Sequence, residues 1–277
     1  MHSADGSLIG HMTPYGPEHV TVLVLIALVA LIALRRIRRS ARTPQAVDRI
    51  ENRLRVLGWV LLANSILWTL WGVMPWAWNI EESLPLHFSD ALRFIGPLAL
   101  ITRARWAVVV SYFWGLTLNM QSVLTPDVNY FVWPPLEFCE YWLAHGTGVL
   151  IPVLLVWGLG LHPTWRGFAL AYAATVGWAL IAQLGNLLTG GNYAYLHHAP
   201  AGPSLLDVMG PWPVYILVEA LVSAGVWALI TLPWVLVDRR SGALPAGPGG
   251  LVRRRPLRSE PDTAHSPVRD TLDTVQG

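Results

Sequence analysis

Apolar stretches long enough to cross a bilayer recur seven times between Val20 and Leu236. A helical span needs roughly 20 predominantly apolar residues, within a range of about 17–25. The stretches are Val20–Leu34, Val56–Trp78, Leu84–Ile101, Trp106–Leu124, about Leu136–Leu159, Trp165–Leu188 and Val214–Leu236. The first is short, but Pro17–His19 can lengthen it and Arg35 can snorkel. Its charged flank follows it, the reverse of a cleaved signal peptide, so it reads as a retained span. The third is the most polar, carrying His87, Ser89, Asp90 and Arg93, and a loop is its competing reading. The pattern predicts an all-α, polytopic transmembrane helical bundle of about seven spans. Residues 1–19 form an extracytoplasmic segment, 20–237 the seven-span domain, and 238–277, rich in Pro, Gly, Arg and Ser, a disordered cytoplasmic tail.

The loops set the orientation. Arg35, Arg36, Arg38, Arg39, Arg42, Arg49, Arg53 and Arg55 fall between spans one and two. Arg103 and Arg105 fall between three and four, Arg166 between five and six, and Arg239 and Arg240 open the tail. The alternate loops have no Arg and carry Glu81, Glu82, Asp127 and Asp207. Every loop obeys the positive-inside rule for an amino end outside and a carboxyl end in the cytoplasm. A miscount by one span scrambles that alternation. The tail's Arg253, Arg254 and Arg255 read first as solvated topology determinants, with contact to anionic head groups as the alternative.

Composition removes several function classes. Only 13% of residues are charged, too few to cover a water-facing surface. All 19 basic residues are Arg, so no lysine Schiff base can form and a retinal protein is excluded. The one cysteine, Cys139, permits neither an intrachain disulfide nor a Cys-based metal cluster. A net charge of +2, with Arg93 inside a span and the other Arg residues at membrane flanks and in the tail, points away from nucleic acid.

Ionisable groups inside spans are costly and usually face the bundle interior or a water-filled cavity. Alternating span direction puts His87, Ser89, Asp90 and Arg93 in the outer half of span three, and Asn119 and Gln121 near the outer end of span four. Glu137 and Glu140 sit at the mouth of span five, with His145 below them. Gln183 and Asn186 lie near the outer end of span six, and Glu219 lies one to two turns into span seven. Asn192 belongs to the outer loop between them. Asn64 alone falls nearer the inner side. The layer as a whole predicts a polar cavity open toward the outer leaflet or the outside, although any single Asn or Gln reads first as an interhelical hydrogen bond. Helical spacing makes Asp90–Arg93 the default charge pair.

Ser89 and His145 share a depth, and a Ser activated by a His is one route to a nucleophile. Asp90, Glu137 and Glu140 are candidates to orient the imidazole, and Arg93 or Asn186 to stabilise an oxyanion. Zinc is the competitor, since His87, His145, His197, His198, Asp90 and Glu140 are suitable ligand types. No HExxH spacing occurs, and His197 and His198 are adjacent in a loop, so no metal and no cofactor is assigned.

Leu84-Pro85-Leu86-His87-Phe88-Ser89 resembles the Leu-Pro-Leu-His-Leu-Cys segment of the YwaF-type bacterial integral membrane proteins. Leu124-Thr125-Pro126-Asp127, Ala144-His145-Gly146, Gly191-Asn192-Tyr193 with Leu196, and Leu205-Leu206-Asp207 through Gly210-Pro211-Trp212-Pro213-Val214-Tyr215 match in order. That family is similar to eukaryotic transmembrane acyltransferases that remodel ether phospholipids. The resemblance implies a bacterial cell-membrane protein with membrane lipid as its partner, and a Cys–His pair on two spans in which the Cys carries the acyl group. By position the Cys maps to Ser89 and the His to His145. The departure from Cys leaves two readings: a hydroxyl nucleophile for acyl transfer or lipid hydrolysis, or a non-catalytic lipid-binding or small-solute transport protein.

Overall fold

The computed structural model describes residues 9–41, 43–80, 83–200, 204–240 and 251–253. Arg42, Glu81, Glu82 and the tail from residue 241, apart from 251–253, lie outside the described residues. Among the described residues seven longer helices run in order: α1 (Pro17–Ser40), α2 (Pro44–Gly72), α3 (Phe88–Thr102), α4 (Arg105–Leu124), α5 (Pro134–Gly158), α6 (Trp165–Thr189) and α7 (Val214–Arg240). Six are long and apolar enough to cross a membrane, so the all-α polytopic bundle stands. The exception is α3, whose 15 residues span only about 22 Å at 1.5 Å per residue.

Local chemistry explains the boundaries that differ from the apolar stretches. Pro85 disfavours helical geometry at Leu84, and the His87 N–H donates to Asp90 Oδ2 (3.0 Å), so α3 starts at Phe88 and not at Leu84. It stops at Arg103, whose backbone is left-handed (φ 56°). The Arg103 guanidinium donates to the carbonyls of Ala99, Leu100 and Glu51, tying the carboxyl end of α3 to α2. Helix α2 ends at Gly72 and not at Trp78, ahead of Pro75. Pro44 at its first position and the Thr43 side chain, which accepts from Ala46 N–H (3.3 Å), fix its start.

Helices α3, α4 and α5 form the centre. Ala99, Leu100, Ala107, Val108, Val109 and Leu155 are fully enclosed there. Outward-facing apolar side chains on α1 (Leu25, Leu28) and α7 (Leu217, Leu221, Leu229) give the bundle its lipid-compatible rim. Backbones approach closely where Cβ atoms are missing. A Cβ on Gly58 of α2 would meet Leu100, Ile101 and the Pro97 carbonyl of α3 at 2.8–2.9 Å. A Cβ on Gly115 of α4 would collide with the Gly148 carbonyl of α5. Helix α4 carries a π-helical segment at that crossing, Trp114–Leu118, and α5 ends in another, Val153–Gly158.

The amino segment is pinned across the Arg-poor end of the bundle. Strand β1 (Gly10–His11) pairs antiparallel with β2 (Asn129–Tyr130). His19 at the start of α1 is 1% exposed; it accepts from Tyr15 N–H through Nδ1 (3.0 Å), and its Nε2 lies 2.9 Å from the Val123 carbonyl. At the other end β3 (Leu161–Pro163) pairs with β4 (Leu251–Arg253).

Candidate functional site

The Arg-poor end of the bundle encloses a cavity of about 660 Å³, within the roughly 300–1,000 Å³ usual for small-molecule sites. The short α3 makes room for it. Ser83, His87 and the first turn of α3 line the cavity where a longer helix would have filled the space. Irregular backbone at membrane depth is tolerated where it borders such a cavity.

Eight of the twelve residues singled out from sequence line it: His87, Ser89, Asp90, Arg93, Asn119, Glu137, His145 and Glu219. Ser89 is the second residue of α3, where the helix dipole favours negative charge. Among the described residues, its hydroxyl makes no hydrogen bond. His145 comes from the middle of α5 and is buried. Its Nδ1 lies 2.7 Å from Asn119 Oδ1, and its ring packs against Tyr141 with centroids 4.2 Å apart. Asn119 sits just after the π-helical segment of α4, buried, with Nδ2 donating to the His145 carbonyl (2.9 Å). His87 accepts from Ala194 N–H through Nδ1 (3.2 Å) and packs against Tyr193 and Tyr195.

The charges pair differently from the spacing rule. Arg93 bonds Glu140 and not Asp90: Nη1 lies 3.2 Å from Glu140 Oε2. Asn64 Nδ2 donates to the same oxygen (3.0 Å), and the guanidinium lies 5.5 Å from the Trp68 ring centre. Asp90 is engaged in holding the start of α3. Asn64 therefore belongs to the same polar layer as Arg93 and Glu140, which corrects its placement apart from that layer. With α2 ending at Gly72, Asn64 lies only about 12 Å from the carboxyl end of that helix.

The remaining candidates have local structural partners. Glu137 lines the cavity, but its carboxylate accepts from Phe131, Val132 and Trp133 N–H (3.1–3.2 Å), so it shapes the entry to α5 and does not orient His145. Asn186 clamps the backbone of Tyr193 through both carboxamide atoms, which removes it as an oxyanion donor. Gln183 meets His197 (3.2 Å), and Asn192 accepts from the N–H groups of His197 and His198 (3.0 and 3.1 Å). These three and Glu140 do not line the cavity. Among the described residues no three His, Cys, Asp or Glu side chains are grouped to hold a metal ion.

Sequence reasoning missed the aromatic lining (Trp68, Trp71, Trp114, Tyr195) and the amino segment, whose His11, Met12, Pro14 and Tyr15 border the cavity. Nothing in hydropathy marks the latter. Burial of His19 at a span's amino end was the available signal, and it reads equally as an interfacial polar residue.

These features define a multi-pass helical membrane protein with a polar cavity sunk into one end. The chain belongs to the TMEM164 family, whose model matches residues 14–231, from just before α1 to well within α7, and so takes in the cavity lining apart from His11 and Met12. The match names that family and not the YwaF-type bacterial proteins. Neither curated proteins nor solved structures give a significant match.

Proposed function

We propose that the cavity is the site of an acyltransferase or lipid hydrolase that uses Ser89 as nucleophile and His145 as base. One observation carries this reading: Ser89 and His145, the two residues that the sequence resemblance pairs, come from different helices and line a single cavity. Ser89 Oγ attacks an acyl carbonyl and passes its proton to His145. The oxygen–carbonyl bond of the donor lipid breaks, and the departing alcohol takes that proton. The acyl-Ser89 ester is then opened by water, giving hydrolysis, or by a lysolipid hydroxyl, giving transfer, with His145 again accepting and returning the proton. The amino end of α3 supplies a favourable field for the negative charge that develops at Ser89.

The test is acyl-chain exchange or release by purified protein in lipid nanodiscs. Ser89→Ala and His145→Ala each abolish turnover, while Ser89→Cys retains or raises it, since a thiolate paired with His is the stronger nucleophile. Unchanged turnover in Ser89→Ala overturns the mechanism. A second reading, lipid binding without chemistry, draws on the absence of any hydrogen bond from Ser89 to His145. It requires bound lipid in native mass spectra of wild type, Ser89→Ala and His145→Ala alike, with no turnover in any of them.

A further inference from the structure

We infer that Asn119 is a positioning residue that fixes the tautomer of His145, presenting Nε2 to the cavity as the base; this rests on the acyl-transfer reading above. Asn119 Nδ2 lies 2.9 Å from the His145 carbonyl, an atom that can only accept, so Nδ2 is the donor and the orientation of the carboxamide is settled. Oδ1 then faces His145 Nδ1 at 2.7 Å. A carboxamide oxygen only accepts, so Nδ1 carries the proton and, in the neutral ring, Nε2 keeps its lone pair. Nε2 makes no hydrogen bond to a described residue and is not among the sealed, unpartnered atoms. His87 shows the opposite arrangement, since its Nδ1 accepts from Ala194 N–H.

The position of Asn119 is built by the backbone around it. The π-helical segment Trp114–Leu118 immediately precedes it, and such segments re-aim side chains relative to regular helix. On α5, a Cβ at Gly148 would lie 2.9–3.1 Å from the Asn119 carboxamide. Only glycine leaves that space open. The pair of contacts from one carboxamide to the ring and the carbonyl of the same histidine holds the imidazole against rotation as well as against the other tautomer. This is the role that a third group plays in nucleophile–base–orienter arrangements.

The test combines kinetics with a measurement that needs no turnover. Asn119→Leu lowers kcat by about 10²-fold, the low end of what a positioned base contributes, with KM within about threefold. Asn119→Asp, which keeps an acceptor oxygen against Nδ1, recovers kcat to within about tenfold of wild type. Separately, ¹⁵N NMR of imidazole-labelled protein in nanodiscs at neutral pH, with the His145 signals assigned by their absence in His145→Ala, shows protonated Nδ1 and bare Nε2. Asn119→Leu loses that preference. A protonated Nε2 in wild type overturns the inference, as does unchanged kcat in Asn119→Leu. If Asn119→Leu fails to fold, the wild-type spectrum still decides. If Ser89→Ala proves fully active, the acyl-transfer reading fails while the spectrum still reports what Asn119 does.

Discussion

Removing Glu140 isolates the largest electrostatic commitment near the cavity. Its carboxylate receives Arg93 Nη1 (3.2 Å) and Asn64 Nδ2 (3.0 Å), and the two charged side chains are only 12% and 11% exposed. Glu140→Ala leaves a guanidinium and a carboxamide without their acceptor. Breaking one side of a buried pair costs about 3–5 kcal/mol. The stranded Asn64 donor adds to this, but it shares the same oxygen and its roughly 1–3 kcal/mol is not additive. Arg93 borders the cavity and keeps its Trp68 contact, so water there rehydrates it in part. The expectation is the lower half of the range, about 3–4 kcal/mol. Reversible unfolding in mixed micelles by added denaturing detergent, followed by tryptophan fluorescence, measures it. The triple change Asn64→Leu, Arg93→Met, Glu140→Leu removes all three polar groups together and returns stability to within about 2 kcal/mol of wild type. A loss below about 1 kcal/mol for Glu140→Ala would refute the claim that this pair is desolvated.

Glu137→Ala removes the acceptor for three consecutive backbone N–H groups and costs about 1.5–3 kcal/mol in the same unfolding assay; a change under about 0.5 kcal/mol counts against its role at the entry to α5. Orientation is checked by single cysteines in a Cys139→Ala background. Asp127→Cys reacts with an impermeant maleimide on intact cells, whereas Ser40→Cys reacts only after permeabilisation, and the reverse pattern contradicts the orientation read from the Arg loops.

Hydropathy carried most of the fold because span length is set by the bilayer and every long helix here had to meet it. It overran at α2 and α3, where Pro75 and Pro85 interrupt helix without lowering hydropathy. That many of the polar residues fall in one layer was readable from the alternating direction of the spans, and eight of the twelve do line one cavity. Side-chain partners were not. Asp90 is three residues from Arg93 on one helix, yet it is occupied holding the start of α3, and the partner Glu140 is 47 positions away. Asn119 stood in the right layer, but its contact with His145 depends on a π-helical segment and on two backbones touching at Gly115 and Gly148, which no periodicity encodes.

The most direct test of the account is to trap the nucleophile. Wild-type protein in nanodiscs, treated with a lipid-tailed fluorophosphonate and digested for mass spectrometry, acquires one covalent adduct on the peptide containing Ser89. The adduct is absent in Ser89→Ala and at least tenfold slower to form in His145→Ala. Lipid turnover by a wild-type protein that carries no adduct at Ser89, or labelling that persists unchanged in His145→Ala, contradicts it.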